Sequence, residues 1–320
     1  MTRYDRPPVD PPHARAIGRR QVLGLLGATG ALLVVDCGGS GGATTESTTP
    51  GGSSSGGSSS GGSSSGGGST GEPTSGAGTT GAGECDEPAA AWATGGTASM
   101  TAKDCYPDPF VGGVLACPLI CETTAGPCTT ATTPEREDVS EGFPGLPVRL
   151  SLLVVDADTC APVAGVKVEI WHTQRTGVYS GVTPSPQQCF LDDPGAAKFN
   201  YFRGLRTAGA DGRVAFDTCF PGWYSGRAIH IHFRVIRDGE VYATSQLFFA
   251  DALNAEIFAA HPDYSEFGPP DVDNDSDGIF GDQPDKPSYL LDAARMPDGA
   301  MLASKVIAIR SSLREPSCSV

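Results

Sequence analysis

Residues 221–233 read Pro-Gly-Trp-Tyr-Ser-Gly-Arg-Ala-Ile-His-Ile-His-Phe, and from Ile229 to Val235 the apolar Ile229, Ile231, Phe233 and Val235 alternate with His230, His232 and Arg234. A period of two is that of a β-strand, whose successive side chains leave opposite faces. His230 and His232 therefore share a face. Neutral imidazoles on a stiff strand form half of a metal site, because the backbone sets their spacing before a metal arrives. The plain alternative is a pair of surface histidines on a half-exposed strand, so the neighbouring residues must decide.

The stretches around this one carry the same signature. Pro147 to Asp156, Gly165 to His172, Gly212 to Thr218, Ala228 to Ile236 and Val241 to Phe249 are short, β-branched or alternating, and separated by Gly, Pro, Asp and Asn clusters. Asp251 to Ala260 is the clearest helical stretch. Many short strands with little helix predict an all-β fold, a two-sheet sandwich with long loops and one or two short helices.

The chain has 320 residues and a formal charge of -15. That acidity argues against a nucleic-acid partner, which would need a basic face. Arg19-Arg20 precedes an apolar run from Val22 to Val35 broken by glycines, the pattern of a twin-arginine export signal, and the run is short for a membrane span. Cys37 ends this run before a Gly/Ser tract, as the lipidated cysteine of a bacterial lipoprotein does, although Asp36 stands where a small residue is preferred. Residues 1–37 are thus expected to direct export, with Cys37 a candidate membrane tether. Neither Lys nor Arg occurs from Gln21 to Ala102, and Gly51 to Ser65 is three copies of Gly-Gly-Ser-Ser-Ser. Residues 38–84 are accordingly expected to be a disordered linker, spanning on average roughly 40 Å. The remaining segment, 85–320, has the composition of one globular domain.

Ten cysteines in an exported chain predict a disulfide framework. Setting Cys37 aside leaves an odd number, so one cysteine of the domain should be free or pair between chains. Cys117 and Cys121 have a zinc-like spacing, but no matching second pair lies near a histidine. Spacing leaves the pairing open.

Further motifs then bring a resemblance into view. Ile170-Trp171-His172, Gly177-Val178-Tyr179-Ser180, Phe202-Arg203-Gly204, Asp211-Gly212, Phe216, the 221–232 stretch and Gln246-Leu247-Phe248-Phe249 follow one another in order. With Ala93-Thr94-Gly95-Gly96 and Arg136 to Gly142, this series resembles the intradiol ring-cleavage dioxygenases, above all the secreted branch similar to the protocatechuate 3,4-dioxygenase β subunit. The resemblance runs from about Cys85 to Phe280.

It implies a non-haem Fe(III) centre with Tyr224 and His232 as axial ligands and Tyr179 and His230 as equatorial ones. The residue types suit that ion: a trivalent metal holds phenols, with a pKa of about 10 in water, as phenolates, and two hard anionic oxygens balance its charge. The reaction implied is cleavage of a catechol-type ring between its hydroxylated carbons with O2, giving a cis,cis-muconate-type diacid. The axial Tyr224 leaves the metal to accept a substrate proton, Arg227 stabilises negative charge on the activated substrate, and Gln246 is the family's active-site glutamine. Two departures stand out. Gly126-Pro127-Cys128 replaces the pocket-lining Gly-Pro-Phe or Gly-Pro-Tyr of many members, with Cys128 expected to enter a disulfide. The Tyr224 to His230 loop is also shorter than in the intracellular enzymes.

Other readings weigh less. Asp273, Asp275, Asp277 and Gly278 imitate a calcium loop, but position twelve is Pro284 rather than Glu, so the Asp271–Asp277 stretch reads as structural, with Ca2+ a secondary candidate. His172 or His261 could supply a third imidazole to zinc. A cupin would need a glutamate about four residues after His232, where Ile236 and Arg237 stand. The rival of another class is a catalytically inactive extracellular β-sandwich that binds carbohydrate or protein. Such a module should have lost a ligand or the arginine, and this chain keeps Tyr179, Tyr224, Arg227, His230 and His232.

Overall fold

A computed structural model describes residue 85, residues 87–114 and residues 116–318. The export signal, Cys37 and the Gly/Ser linker lie outside the described residues. Eight strands and two short α-helices follow in the order β1 (Pro147–Asp156), β2 (Lys167–Trp171), α1 (Pro186–Cys189), β3 (Arg203–Thr207), β4 (Arg213–Cys219), β5 (His230–Arg237), β6 (Glu240–Phe248), α2 (Asp251–Ala260), β7 (Asp292–Arg295) and β8 (Met301–Ile309).

The strands form two four-stranded sheets, ordered β4-β1-β8-β7 and β3-β2-β5-β6. The expected two-sheet sandwich is what the chain forms. All pairings are antiparallel except β1 with β8. Alternation in β1 buries Val148, Leu150, Leu152 and Val154 completely, in one apolar cluster with Val168 and Ile170 of β2 and Ile231, Phe233 and Val235 of β5. The apolar half of the 229–235 pattern therefore belongs to the core between the sheets.

β5 and β6 join through a two-residue turn at Asp238-Gly239, both with positive φ (53° and 84°). That is the turn whose twist matches a hairpin, and Asp-Gly is its favoured sequence. A β-bulge between Val235 and Ile236 then shifts the register by one, which places His232 opposite Gln246 and His230 opposite Phe248. On the other side of β5, His232 pairs with Trp171 and Arg234 with Glu169.

Three strands have no counterpart among those expected. β3 contains Gly204 between two arginines, and β7 is four residues long. β8 runs between β1 and β7 and is largely buried along its length, so it shows no alternation to read. Four disulfides staple the loops: Cys85–Cys105, Cys117–Cys160, Cys121–Cys318 and Cys128–Cys189. Cys219, buried, is the free thiol that the odd count required.

Candidate metal centre

β5 carries His230 and His232 on one face, and both are almost fully buried, at 3% and 2% exposure. This overturns the reading of a half-exposed strand: loops cover the polar face as fully as the second sheet covers the apolar one. The two Nε2 atoms stand 3.1 Å apart. His230 Nδ1 lies 2.6 Å from the Ala228 carbonyl, so Nδ1 carries the proton and Nε2 presents a lone pair. The His232 ring is held by its cross-strand neighbour Trp171, stacked at 4.9 Å between centroids with planes 3° apart. Its Nδ1 is buried without a hydrogen-bond partner.

Two loops bring phenols to this pair. The loop after β2 turns tightly through Gln174 to Val178, with Gly177 N–H on the Gln174 carbonyl and Gln174 N–H on the Val178 carbonyl. Gly177 is in the left-handed region, and a Cβ there would meet the Trp223 carbonyl oxygen at 2.3 Å. Only glycine lets the Tyr179 loop lie this close to the segment carrying Tyr224. Tyr179 donates its backbone N–H to the Cys189 carbonyl, and the Cys128–Cys189 disulfide ties that anchor to the 126–128 loop. The expected disulfide role of Cys128 holds. The Tyr179 hydroxyl then stands 3.3 Å from His230 Nε2, and the Tyr224 hydroxyl 3.4 Å from the same atom.

Four donor groups thus surround one point. Ligands bonded to one ion at about 2.1 Å sit roughly 3.0–3.6 Å from one another at the angles of common coordination polyhedra, and the observed spacings of 3.1 to 3.4 Å fit that geometry. Electrostatics agree. Burial, with the positive charge of Arg227 behind it, pushes the His230 imidazole down to about 3. Burial also lowers His232 well below the usual histidine range, with His230 adding to it. Burial raises both phenols, Tyr179 strongly and Tyr224 against the opposing charge of Arg227. Two neutral imidazole lone pairs and two phenol oxygens are the donor set a hard cation completes.

Arg227, three residues before His230, donates from Nη2 to Gln246 Oε1 and from Nε to Asp277 Oδ2 at 2.9 Å. Gln246 in turn donates from Nε2 to the Thr124 carbonyl at 2.9 Å. All six site residues singled out in the sequence, Tyr179, Tyr224, Arg227, His230, His232 and Gln246, are therefore brought into one connected cluster.

The other histidines are occupied elsewhere. His172 bonds Thr218 Oγ1 at 2.7 Å and the Thr173 carbonyl at 2.8 Å, while His261 bonds the Ala93 carbonyl and the Asp263 N–H. Among the described residues no three His, Cys, Asp or Glu side chains form a metal-binding group. The two imidazoles that could have joined a zinc ion are thus engaged in other hydrogen bonds.

Asp277 is the residue that sequence reading missed. Its side chain is fully buried, although burial would by itself raise a carboxyl, and Arg227 together with the Ala228 and Ile279 N–H groups holds it below the usual range. Its partner lies 50 positions away in the chain, a distance at which no local pattern could have signalled the pairing.

No family model matches the chain. A chlorocatechol 1,2-dioxygenase of Rhodococcus opacus is 30% identical over 130 residues, 37% of this chain and 48% of that protein. Its counterpart from Pseudomonas sp. (strain P51) is 27% identical over 113 residues, 30% of this chain and 41% of that one. The solved intradiol ring-cleavage dioxygenase from Tetranychus urticae superposes with a TM-score of 0.53 at 28% identity, over 61% of this chain and 95% of its own. The chain is similar to intradiol ring-cleavage dioxygenases in both sequence and fold. It spans less than half the length of the curated relatives it matches, whereas it covers 95% of the Tetranychus urticae dioxygenase.

Proposed function

We propose that the domain is a non-haem Fe(III) dioxygenase cleaving a catechol-type ring between its two hydroxylated carbons with O2, to give a cis,cis-muconate-type diacid. The observation that carries this reading is the convergence of the Tyr179 and Tyr224 hydroxyls and His232 Nε2 on His230 Nε2. Bound ferric iron would supply the Lewis acidity that turns a catechol into a chelating dianion and makes its ring reactive towards O2.

The protein's own groups have separable tasks. His230 and His232 stay neutral because they are buried, so no proton competes for their lone pairs near neutral pH. Tyr179 is fixed by its N–H bond to Cys189 and is 2% exposed, which suits a permanent ligand. Tyr224 sits at the edge of a loop whose next residues, Ser225 and Gly226, are exposed, and its Oη is placed to take a proton from an incoming diol. Arg227 and Gln246 present a cation and an amide beside the same point, where negative charge would gather on the substrate.

We also propose that the domain works outside the cytoplasm. Four disulfides and the twin-arginine pattern support an oxidising compartment, and Cys37 would be the tether.

The test is metal analysis of the purified domain with its visible spectrum, followed by catechol under air. About one iron per chain, a visible band dependent on Tyr179 and Tyr224, and consumption of catechol are expected. A colourless, iron-free protein inert towards catechol would favour an inactive binding module, and stoichiometric zinc with hydrolytic activity would replace the reading altogether.

A further inference from the structure

The acidic loop that imitates a calcium site instead grips the arm bearing Tyr224 and Arg227. Asp271 accepts from Ser225 Oγ at 2.7 Å and from Gly226 N–H at 3.2 Å on the exposed side. Deeper in, Asp277 Oδ2 accepts from Arg227 Nε at 2.9 Å and from Ala228 N–H at 2.7 Å. Its Oδ1 accepts from the N–H groups of Ile279 and Phe280 at 2.8 and 2.9 Å. The loop itself is seated by Asn274, whose Nδ2 donates to the Phe249 carbonyl at 2.8 Å, just beyond β6.

We propose that Asp277 is a positioning residue that aims the Arg227 guanidinium at the ring-cleavage site, an inference that rests on the dioxygenase reading above. A guanidinium is planar, and two contacts on different nitrogens fix both its position and its plane. Asp277 supplies one on Nε and Gln246 the other on Nη2. With Gln246 alone the group would pivot about a single bond. The same carboxylate oxygen holds the backbone of Ala228, whose carbonyl sets the His230 tautomer. A buried, fully bonded carboxylate thus fixes the arginine without touching substrate or metal.

The experiment compares the iron-loaded protein with D277N, alone and in an R227Q background. D277N should lower kcat for catechol by about tenfold or more while leaving KM within about twofold and iron per chain unchanged. In the R227Q background the same change should alter kcat by less than about twofold, since nothing remains to aim. An equal loss in both backgrounds, or loss of iron with D277N, would make Asp277 a plain structural anchor and overturn the proposal.

A second readout does not depend on activity or on the variant folding. The Arg227 Nε–H of the wild-type protein should exchange with solvent far more slowly than that of the more exposed Arg237, and equal rates would overturn the proposal. An iron-loaded wild type inert towards catechol would sink the dioxygenase reading by itself, while the guanidinium exchange would still decide whether Asp277 holds Arg227.

Discussion

His230 and His232 face each other through their Nε2 atoms at 3.1 Å, and His230 keeps its own proton on the Ala228 side. Two lone pairs cannot share that gap without a proton or a cation between them. Removing one imidazole should therefore be felt first in metal retention. His230→Ala and Tyr179→Phe are each expected to weaken iron binding by at least about tenfold with the fold intact. Competition against a chelator, with far-ultraviolet circular dichroism as the fold control, checks this, and unchanged retention in both variants would remove these residues from the ligand set.

Gly177 is where two loops nearly touch, with φ at 79° and the Trp223 carbonyl in the way of any side chain. Gly177→Ala should destabilise the domain by about 1–3 kcal/mol and displace the Tyr224 segment. Denaturant melts together with the Tyr224-dependent visible band would show both effects. A wild-type melt would mean that the close approach is not maintained in solution.

These two contacts also separate what was legible in the sequence from what was not. The strand bearing His230 and His232 was readable because one face is apolar and the other polar, so period two survives. β8 was not, because it is largely buried and its Met301 to Ile309 sequence carries no alternation. The unpaired cysteine followed from parity, yet its identity as Cys219 needed the structure. Tyr179 and Tyr224 came with their motifs. Asp277 did not, since its meaning lies in a partner 50 residues away and its surroundings imitate a calcium loop. The burial of the polar face of β5 was not legible for a related reason: alternation reports polarity, and here loops cover the polar face.

The Cys128–Cys189 bridge closes a separation of 61 residues and sits directly behind the Tyr179 backbone. Replacing both cysteines by serine should cost about 4 kcal/mol by loop-closure entropy. It should also accelerate iron loss, because the Cys189 carbonyl that anchors Tyr179 is no longer tethered. Calorimetry and a chelator time course measure the two effects. A variant less stable but with unaltered iron release would confine the bridge to the unfolded state.

His172 provides a pH signature of the fold. Burial lowers its pKa from 6.5 to about 4, and its ring is bonded to Thr173 and Thr218. Between those values the unfolded chain binds a proton that the folded one refuses, so stability is complete above about 6.5 and is lost as pH falls towards 4. The contribution is about 3 kcal/mol. Unfolding free energy measured across this window should fall more steeply for wild type than for His172→Gln. Parallel curves would show that His172 does not titrate on unfolding.

The most direct test of the whole account is oxygen uptake by the iron-loaded domain given catechol, with the product analysed after use of labelled O2. The account predicts one O2 consumed per catechol and a six-carbon diacid carrying both labelled oxygen atoms. A domain with full iron occupancy that takes up no oxygen, or yields a product lacking the label, would contradict it.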